Sequence, residues 1–456
     1  MTYRIFVQES PEGGYTAIVP ELPGCISEGV TKKDAVANAC KAVALYLEPV
    51  SEEGRVQDGP MIPEPTPMDD LLRSLERQGW RPVRRRGTHI RLHNQIGDEV
   101  LVMIIPLADK MLDSTLLQIM KRATVDVHQT RQSVWGPQGR EKLHAVWKGR
   151  RMRAVGSRLY LRPEQETFHE FLVWMFSRML HPRWLRQEPE REGTRQHEIS
   201  RWFRAYQQWR EDVKRPENQV EGGWRMSPSG DVQSLICLAY DVYQLLHSGN
   251  FSGKVFRRLR NFEHFQGARY EIAVAAILSR LEYKLTYPGS GTSQRHPEFI
   301  AEHPRTGNRI AVEAKSRHRP GVLHTAGSRD PQEPTARELI FLFEHALPQC
   351  PDHLPAAIFI DLNVPPPRTG ASRRWFEELL EAFKGEIGTS GPGKLDSFNV
   401  LFLTNFPYHW VGSDRAPSTQ RGYITSFQPR HRFPMDLIAE IYEAVENYGI
   451  VPEERF

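Results

Sequence analysis

Residues 267–315 constrain the fold of this chain more than any other stretch, because they call for a helix, a hairpin and a charged sheet face in close succession. The first part carries Ile272, Val274, Ala275, Ile277, Leu278 and Leu281 at helical spacing. Glu271 falls in the expected first turn, where a carboxylate also suits the helix dipole. Two short apolar runs follow, at 298–301 and 309–315, separated by Pro304-Arg305-Thr306-Gly307-Asn308, which is a hairpin signal. Residues i and i+2 of a strand share a face, so Glu313 and Lys315 point the same way, and Glu298 on the neighbouring strand reaches that face. Carboxylates gathered with an ammonium are costly unless a divalent cation sits among them. Mg²⁺ takes oxygen ligands, and a lysine beside it can orient or deprotonate a water that attacks a phosphodiester. The competing account of Glu313 and Lys315 is a cross-strand ion pair on a solvated face.

A helix Glu, a Pro-acidic pair and an acidic-x-Lys triplet occur here in order as Glu271, Pro297-Glu298 and Glu313-Ala314-Lys315. This resembles the PD-(D/E)xK nuclease superfamily, with Glu298 where the family usually has Asp. The resemblance implies a mixed α/β core over residues 261–456. It further implies Mg²⁺ (or Mn²⁺) held by Glu271, Glu298 and Glu313, and DNA hydrolysis with Lys315 among the catalytic groups. Helical patterns at 336–347 and 375–383 alternate with buried-type strands at 355–362 and 398–405, which calls for a mixed sheet covered on both faces. An amphipathic helix closes the chain at 434–448, with Pro434 at its start and Gly449 just past its end.

At the other end, strands at 3–7 and 15–19 flank the turn Pro11-Glu12-Gly13-Gly14. The loop Pro20-Glu21-Leu22-Pro23-Gly24-Cys25 follows. Thr31 then caps a helix over 32–47 whose apolar stripe is Ala35, Ala39, Ala42, Val43 and Leu47. Residues 1–48 resemble the HicB antitoxin, which implies a partial RNase H fold without nuclease activity and a role in masking HicA. Residues 49–66, rich in Pro and acidic side chains, read as a linker.

Residues 67–125 carry helix, strand, strand, strand, helix, with the strands at 81–85, 89–93 and 100–105. Gly87-Thr88-His89-Ile90-Arg91-Leu92 after the basic strand resembles the HicA toxin, an RNase with the α-β-β-β-α fold of a double-stranded-RNA-binding domain. The resemblance implies that His89 is the catalytic imidazole, suited to acid–base work near neutrality. Arg84, Arg85, Arg86 and Arg91 would hold phosphates. The alternatives are a strand histidine satisfied by a backbone carbonyl, and a module that binds without cleaving.

Residues 126–147 read as a connector, and 148–260 as a helical spacer or recognition domain that opens on a basic run including Arg150 and Arg151. The stripe Trp202, Phe203, Tyr206 and Trp209 suits either base stacking or an ordinary helical core. Net charge is only +4, so contact with nucleic acid has to come from local patches. Four scattered cysteines read as buried thiols of a reducing cytoplasm, and no apolar run is long enough for a membrane span. The expectation is therefore an α+β and α/β multidomain chain. It would be a Mg²⁺-dependent DNA endonuclease fused to a HicB/HicA-like pair, with DNA and mRNA as partners, an intramolecular HicB–HicA contact and self-association into homo-oligomers. A self-masked RNase with an inactive nuclease domain, and a non-catalytic nucleic-acid-binding regulator, are the alternatives.

Overall fold

The computed structural model describes residues 3–10, 13–22, 24–48 and, with short breaks, 67–122. It continues over 145–180 (148 and 157 apart), 184–185, 196–288 (221–222 apart), 296–324, 335–366, 374–389 and 396–452 (427–428 apart). The expected linker 49–66 and most of the connector 126–147 lie outside these residues. Two compact units divide the chain, one within Met1–Phe171 and the other Leu172–Val451.

The front unit begins with an antiparallel meander, β1 (Phe6–Glu9), β2 (Tyr15–Ile18) and β3 (Ile26–Gly29). α1 (Lys32–Leu47) starts on a capping box, in which Thr31 Oγ1 accepts from the Asp34 N–H at 3.1 Å and the Asp34 carboxylate accepts from the Thr31 N–H at 3.2 Å. Its buried stripe is Ala35, Ala39, Ala42 and Leu45; the expected Leu47 is exposed instead. α2 (Pro67–Arg77) leads into a second antiparallel sheet, β4 (Arg81–Arg86), β5 (His89–Ile96) and β6 (Glu99–Pro106).

The two sheets meet where the loop before β3 lies along β6. The Ile104 N–H donates to Gly24 O at 2.7 Å, and Cys25 forms a parallel bridge with Ile104. Only glycine fits position 24: its φ is +87°, and a Cβ would stand 2.5 Å from Val102 O. Val19, Leu22, Cys25, Ala42 and Leu45 share one core with Ile104, so residues 3–48 and 81–106 are packed as one body.

A third sheet, β7 (Ala145–Trp147), β8 (Arg150–Val155) and β9 (Arg158–Pro163), corrects the helical expectation for the start of 148–260. Met152 and Ala154 join the core that holds Trp80, Leu92 and Met103. The basic run is thus a strand whose apolar residues face inward, with the Arg153 guanidinium tucked 5.2 Å from the ring centre of Phe171.

Helix α3 (Phe168–Met179) begins in the front unit and runs into the back one, where α4 (Glu198–Asp212), α5 (Gly230–His247) and α6 (Gly253–Arg258) precede α7 (Phe265–Arg280). A short hairpin, β10 (Gln219–Val220) and β11 (Gly223–Trp224), separates α4 from α5. Trp202 and Tyr206 are buried, and Phe203 stacks on Phe176 at 6.1 Å, so this stripe is helical core rather than a base-stacking face.

The sheet that follows has the order β12 (Lys284–Thr286), β13 (Phe299–Glu302), β14 (Arg309–Ser316), β15 (Ala356–Asp361), β16 (Val400–Asn405), β17 (Gln420–Thr425). β14, β15 and β16 are mutually parallel and the outer pairings antiparallel. α8 (Ala336–Ala346) and α9 (Arg374–Thr389) pack Leu339, Phe343 and Phe383 onto Ile358, Ile360, Leu401 and Leu403. α7 lies on the opposite face, where the Tyr270 hydroxyl is 2.8 Å from Thr404 Oγ1. The short α10 (Tyr408–Val411) and the closing α11 (Met435–Glu446) complete the unit. The mixed sheet covered on both faces follows from its strands, which are apolar on alternate residues of both sides.

Two local expectations need correction. Glu271 is the seventh residue of α7 rather than a first-turn residue, because the helix starts at Phe265 on His264 without a side-chain cap. Of the four free cysteines, Cys40 is exposed and Cys350 half-buried. No helix among the described residues is long and apolar enough to cross a membrane.

Candidate functional site

β13 runs antiparallel to β14 with Phe299 opposite Val312, so Glu298, one residue before the strand, stands level with Glu313. The Glu298 main-chain N–H donates to Glu313 Oε2 at 3.2 Å, and Lys315 Nζ is ion-paired with Glu313 Oε1. Glu313 is in register with Ile358 and Lys315 with Ile360, which puts both on the sheet face covered by α8 and α9. Glu271 approaches from α7, where it pairs with Arg258 Nη1 at 2.6 Å. It shares with Glu298 the lining of a cleft that also includes Ser252, Phe256 and Tyr287.

Burial pushes the Glu298 carboxyl up to about 8, and the charges of Glu271 and Glu313 add to the effect. Burial also raises Glu313, to about 7, although Lys315 pulls it back. Desolvation disfavours both as anions and the Glu271 charge adds to it, while Lys315 opposes it.

An oxygen-only donor set of this kind suits a hard divalent ion such as Mg²⁺ or Mn²⁺. Glu298 and Glu313 are brought together, whereas Glu271 is held by Arg258. Among the described residues, no group of three or more His, Cys, Asp or Glu side chains stands at metal-ligand spacing. The reason is that the chain's own cations hold two of the carboxylates, Lys315 on Glu313 and Arg258 on Glu271. Arg258 was invisible to sequence reasoning: it belongs to an ordinary Arg257-Arg258 pair, and only the fold delivers it to Glu271. Asp361, at the end of β15, is fully buried and accepts from Ser316 Oγ at 3.2 Å, a strand-end role apart from the carboxylate pair.

In the front unit, His89 is buried at 3% exposure, with Nε2 2.9 Å from Ser27 Oγ on β3 and Nδ1 3.2 Å from Thr88 Oγ1. Burial lowers it to about 4, and Lys41 adds to the effect, so the ring is neutral at physiological pH. Its partner is a serine hydroxyl, not the backbone carbonyl considered from sequence. Nothing in the local pattern marks Ser27; it arrives by sheet packing.

The arginines expected to hold phosphates divide. Arg84 and Arg86 point to one face, and both pair with Glu48. Arg85, between them, is exposed on the other face. Arg91 is buried and donates to Leu45 O at 3.1 Å and Glu48 O at 2.6 Å, which closes the end of α1. Arg150 donates to Leu161 O at 2.9 Å and remains exposed. Arg151 is buried at 2% exposure and is not available to a nucleic-acid backbone, a correction that follows from the strand conformation of the basic run.

Comparison with known proteins places only the front of the chain. Residues 3–83 match the family described as HicB_like antitoxin of bacterial toxin-antitoxin system. A UPF0150 protein of Thermoplasma acidophilum is 40% identical over 48 residues, covering 10% of this chain and 70% of that protein. A UPF0150 protein of Synechocystis is 33% identical over 70 residues, covering 15% and 77%. An uncharacterized 14.9 kDa protein of Haemophilus phage HP1 is 32% identical over 76 residues, covering 17% and 53%. No solved structure matches the chain. The family match runs through α2 into β4, beyond the boundary at residue 48 and into the segment that resembles HicA. Through these N-terminal residues the chain belongs to the HicB-like antitoxin family.

Proposed function

We propose that the back unit is a Mg²⁺-dependent DNA endonuclease joined to a toxin–antitoxin module, acting in bacterial defence in the cytoplasm. The observation that carries this reading is the meeting of Pro297-Glu298 with Glu313-Ala314-Lys315 across two antiparallel strands, with the Glu298 N–H on the Glu313 carboxylate at 3.2 Å. The raised pKa values of Glu298 and Glu313 support it, since perturbed groups gather at functional sites.

Glu298 and Glu313 would hold the ion, and Glu271 would join them once it leaves Arg258. The ion supplies Lewis-acid polarisation of a phosphoryl oxygen. Lys315, half-buried next to Glu313, orients a water and holds its position on the sheet. The buried Glu313 carboxylate fixes the lysine in turn. Incubation of supercoiled plasmid with the protein and Mg²⁺ tests the reading: wild type nicks or linearises it, and Lys315→Ala does not. Equal cutting by both proteins sinks the assignment of this site.

A second reading is favoured by one specific observation, the Ser27 hydroxyl seated on His89 Nε2. In it, residues 67–122 are a HicA-type RNase held silent by residues 3–48 of the same chain. Linkage in one chain raises the effective concentration of the masking segment to roughly millimolar. Removing residues 3–48 outright would strip the core around Ile104. The sharper variant is Ser27→Trp, which pushes β3 off His89. Growth inhibition by Ser27→Trp that is abolished by adding His89→Ala supports the masked pair; inhibition that persists without His89 rules it out.

A further inference from the structure

β4 and β5 pair with Arg84 opposite Arg91 and Arg86 opposite His89. Directly opposed residues share a face, as do alternate residues of a strand. One face of this sheet therefore carries three guanidiniums, from Arg84, Arg86 and Arg91, together with the rings of His89 and His93. Like charges set directly opposite each other destabilise a sheet unless an anion lies between them.

The anion present is the end of α1. The Glu48 carboxylate lies 3.1 Å from Arg84 Nε through Oε2 and is ion-paired with Arg86 Nη1 through Oε1. Arg91 Nη1 donates to the main-chain oxygens of Leu45 and Glu48 at 3.1 and 2.6 Å, where the helix end carries about half a negative charge. Two guanidiniums forked on the two oxygens of one anionic group, with a third on adjacent oxygens, is how a protein grips a phosphodiester. One carboxylate and about half a charge from the helix end do not neutralise three guanidiniums, so the face remains positive. Arg84 and Arg86 are 48% and 61% exposed, so an incoming strand reaches them without unfolding the sheet. Pairs this exposed are individually weak and are readily exchanged.

We propose that Glu48 is a built-in phosphate mimic: the face formed by Arg84, Arg86 and Arg91 binds a single-stranded RNA backbone, and the last turn of α1 occupies that site in its place. The inference deepens the masked-pair reading, on which it rests for the identity of the polymer. The masking segment then excludes substrate by charge as well as by covering His89.

The test measures binding of a short fluorescent 2′-O-methyl oligouridine, which cannot be cleaved through its 2′ position, to the full chain by anisotropy. Glu48→Gln keeps the shape and removes the charge, and it should bind about tenfold tighter than wild type, with a steeper dependence on salt. Adding Arg84→Gln and Arg86→Gln to Glu48→Gln should abolish the gain. Glu48→Gln binding no tighter than wild type, with its circular dichroism unchanged, overturns the proposal. So does a lowered Tm with unchanged affinity, which is what a purely structural Glu48 predicts. Tightening for a DNA strand of equal length but not for the oligouridine overturns the RNA assignment. Cleavage of natural RNA by Glu48→Gln without tighter binding would keep the masked pair and overturn the mimic. Tighter binding without cleavage supports the mimic, because Ser27 still covers His89 in that variant; the masked pair itself stands or falls with Ser27→Trp.

Discussion

In the front unit a charged face is partly satisfied by the chain itself: Ser27 holds a neutral His89, and Glu48 holds Arg84 and Arg86. In the back unit Glu298 and Glu313 sit buried against each other, near Glu271, with Lys315 and Arg258 as the cations that offset them among the described residues. The first closes His89 with a polar partner of its own and leaves its guanidiniums a positive excess. The second leaves negative charge that the protein does not fully compensate. Burial acts on both, but it pushes an imidazole and a carboxylate in opposite directions, because desolvation always disfavours the charged form. A buried site in balance and a buried site in deficit can thus be told apart by what a proton or a cation does to each.

The sharpest separation is catalytic. Lys315→Ala should lower Mg²⁺-dependent plasmid cleavage on the order of 10²- to 10⁴-fold, while His89→Ala should leave both plasmid and RNA cleavage by the intact chain unchanged. An effect of His89→Ala on the wild-type background would show that its covering is open. Next in size, Gly24→Ala should cost about 3 kcal/mol or more in denaturant unfolding of the front unit, through left-handed strain and a collision with Val102 O. The back unit should unfold as before. An unchanged front transition would mean that the seam with β6 carries little energy.

A smaller effect divides the units by pH. His89 has a folded value of about 4 against an ordinary 6.5, so its contribution is present above pH 6.5 and is lost as pH falls towards 4. Glu313 and Glu298 have folded values of about 7 and 8 against 4.5, so the back unit is favoured below pH 4.5 and loses stability as pH rises through 7 to 8. Calorimetry should show opposite slopes, on the order of a few kcal/mol for each unit across its window. Glu298→Gln should flatten the slope of the back unit. Parallel slopes would erase the contrast. The smallest expected effect is on metal affinity: Arg258→Met removes a competitor for Glu271, and Mn²⁺ binding followed by electron paramagnetic resonance should tighten about fivefold. Weaker binding would make Arg258 a support of the site rather than a rival to the ion.

Much of this was legible locally. Thr31 announced the start of α1, and the alternation around Glu313 and Lys315 announced their shared face. Pro20-Glu21-Leu22-Pro23-Gly24-Cys25 marked a loop whose glycine is required by its backbone angle. What sequence did not reveal arrives from a distance. Arg258 and Glu48 look like ordinary surface charges until the fold carries them to Glu271 and to Arg84. Arg151 and Arg153 made 150–155 look solvated, and the intervening Met152 and Ala154 were too few to announce a buried strand. Glu271 was misplaced in its helix because His264 offers no side-chain cap to mark where α7 begins.

The bridge from Cys25 to Ile104 has a further consequence. Were the polypeptide severed between residues 48 and 67, each piece would carry a raw strand edge shaped for the other, and recombination would mean finding that edge again. A second molecule offers the same edge. The seam that Gly24 makes possible is where such pieces would have to meet again.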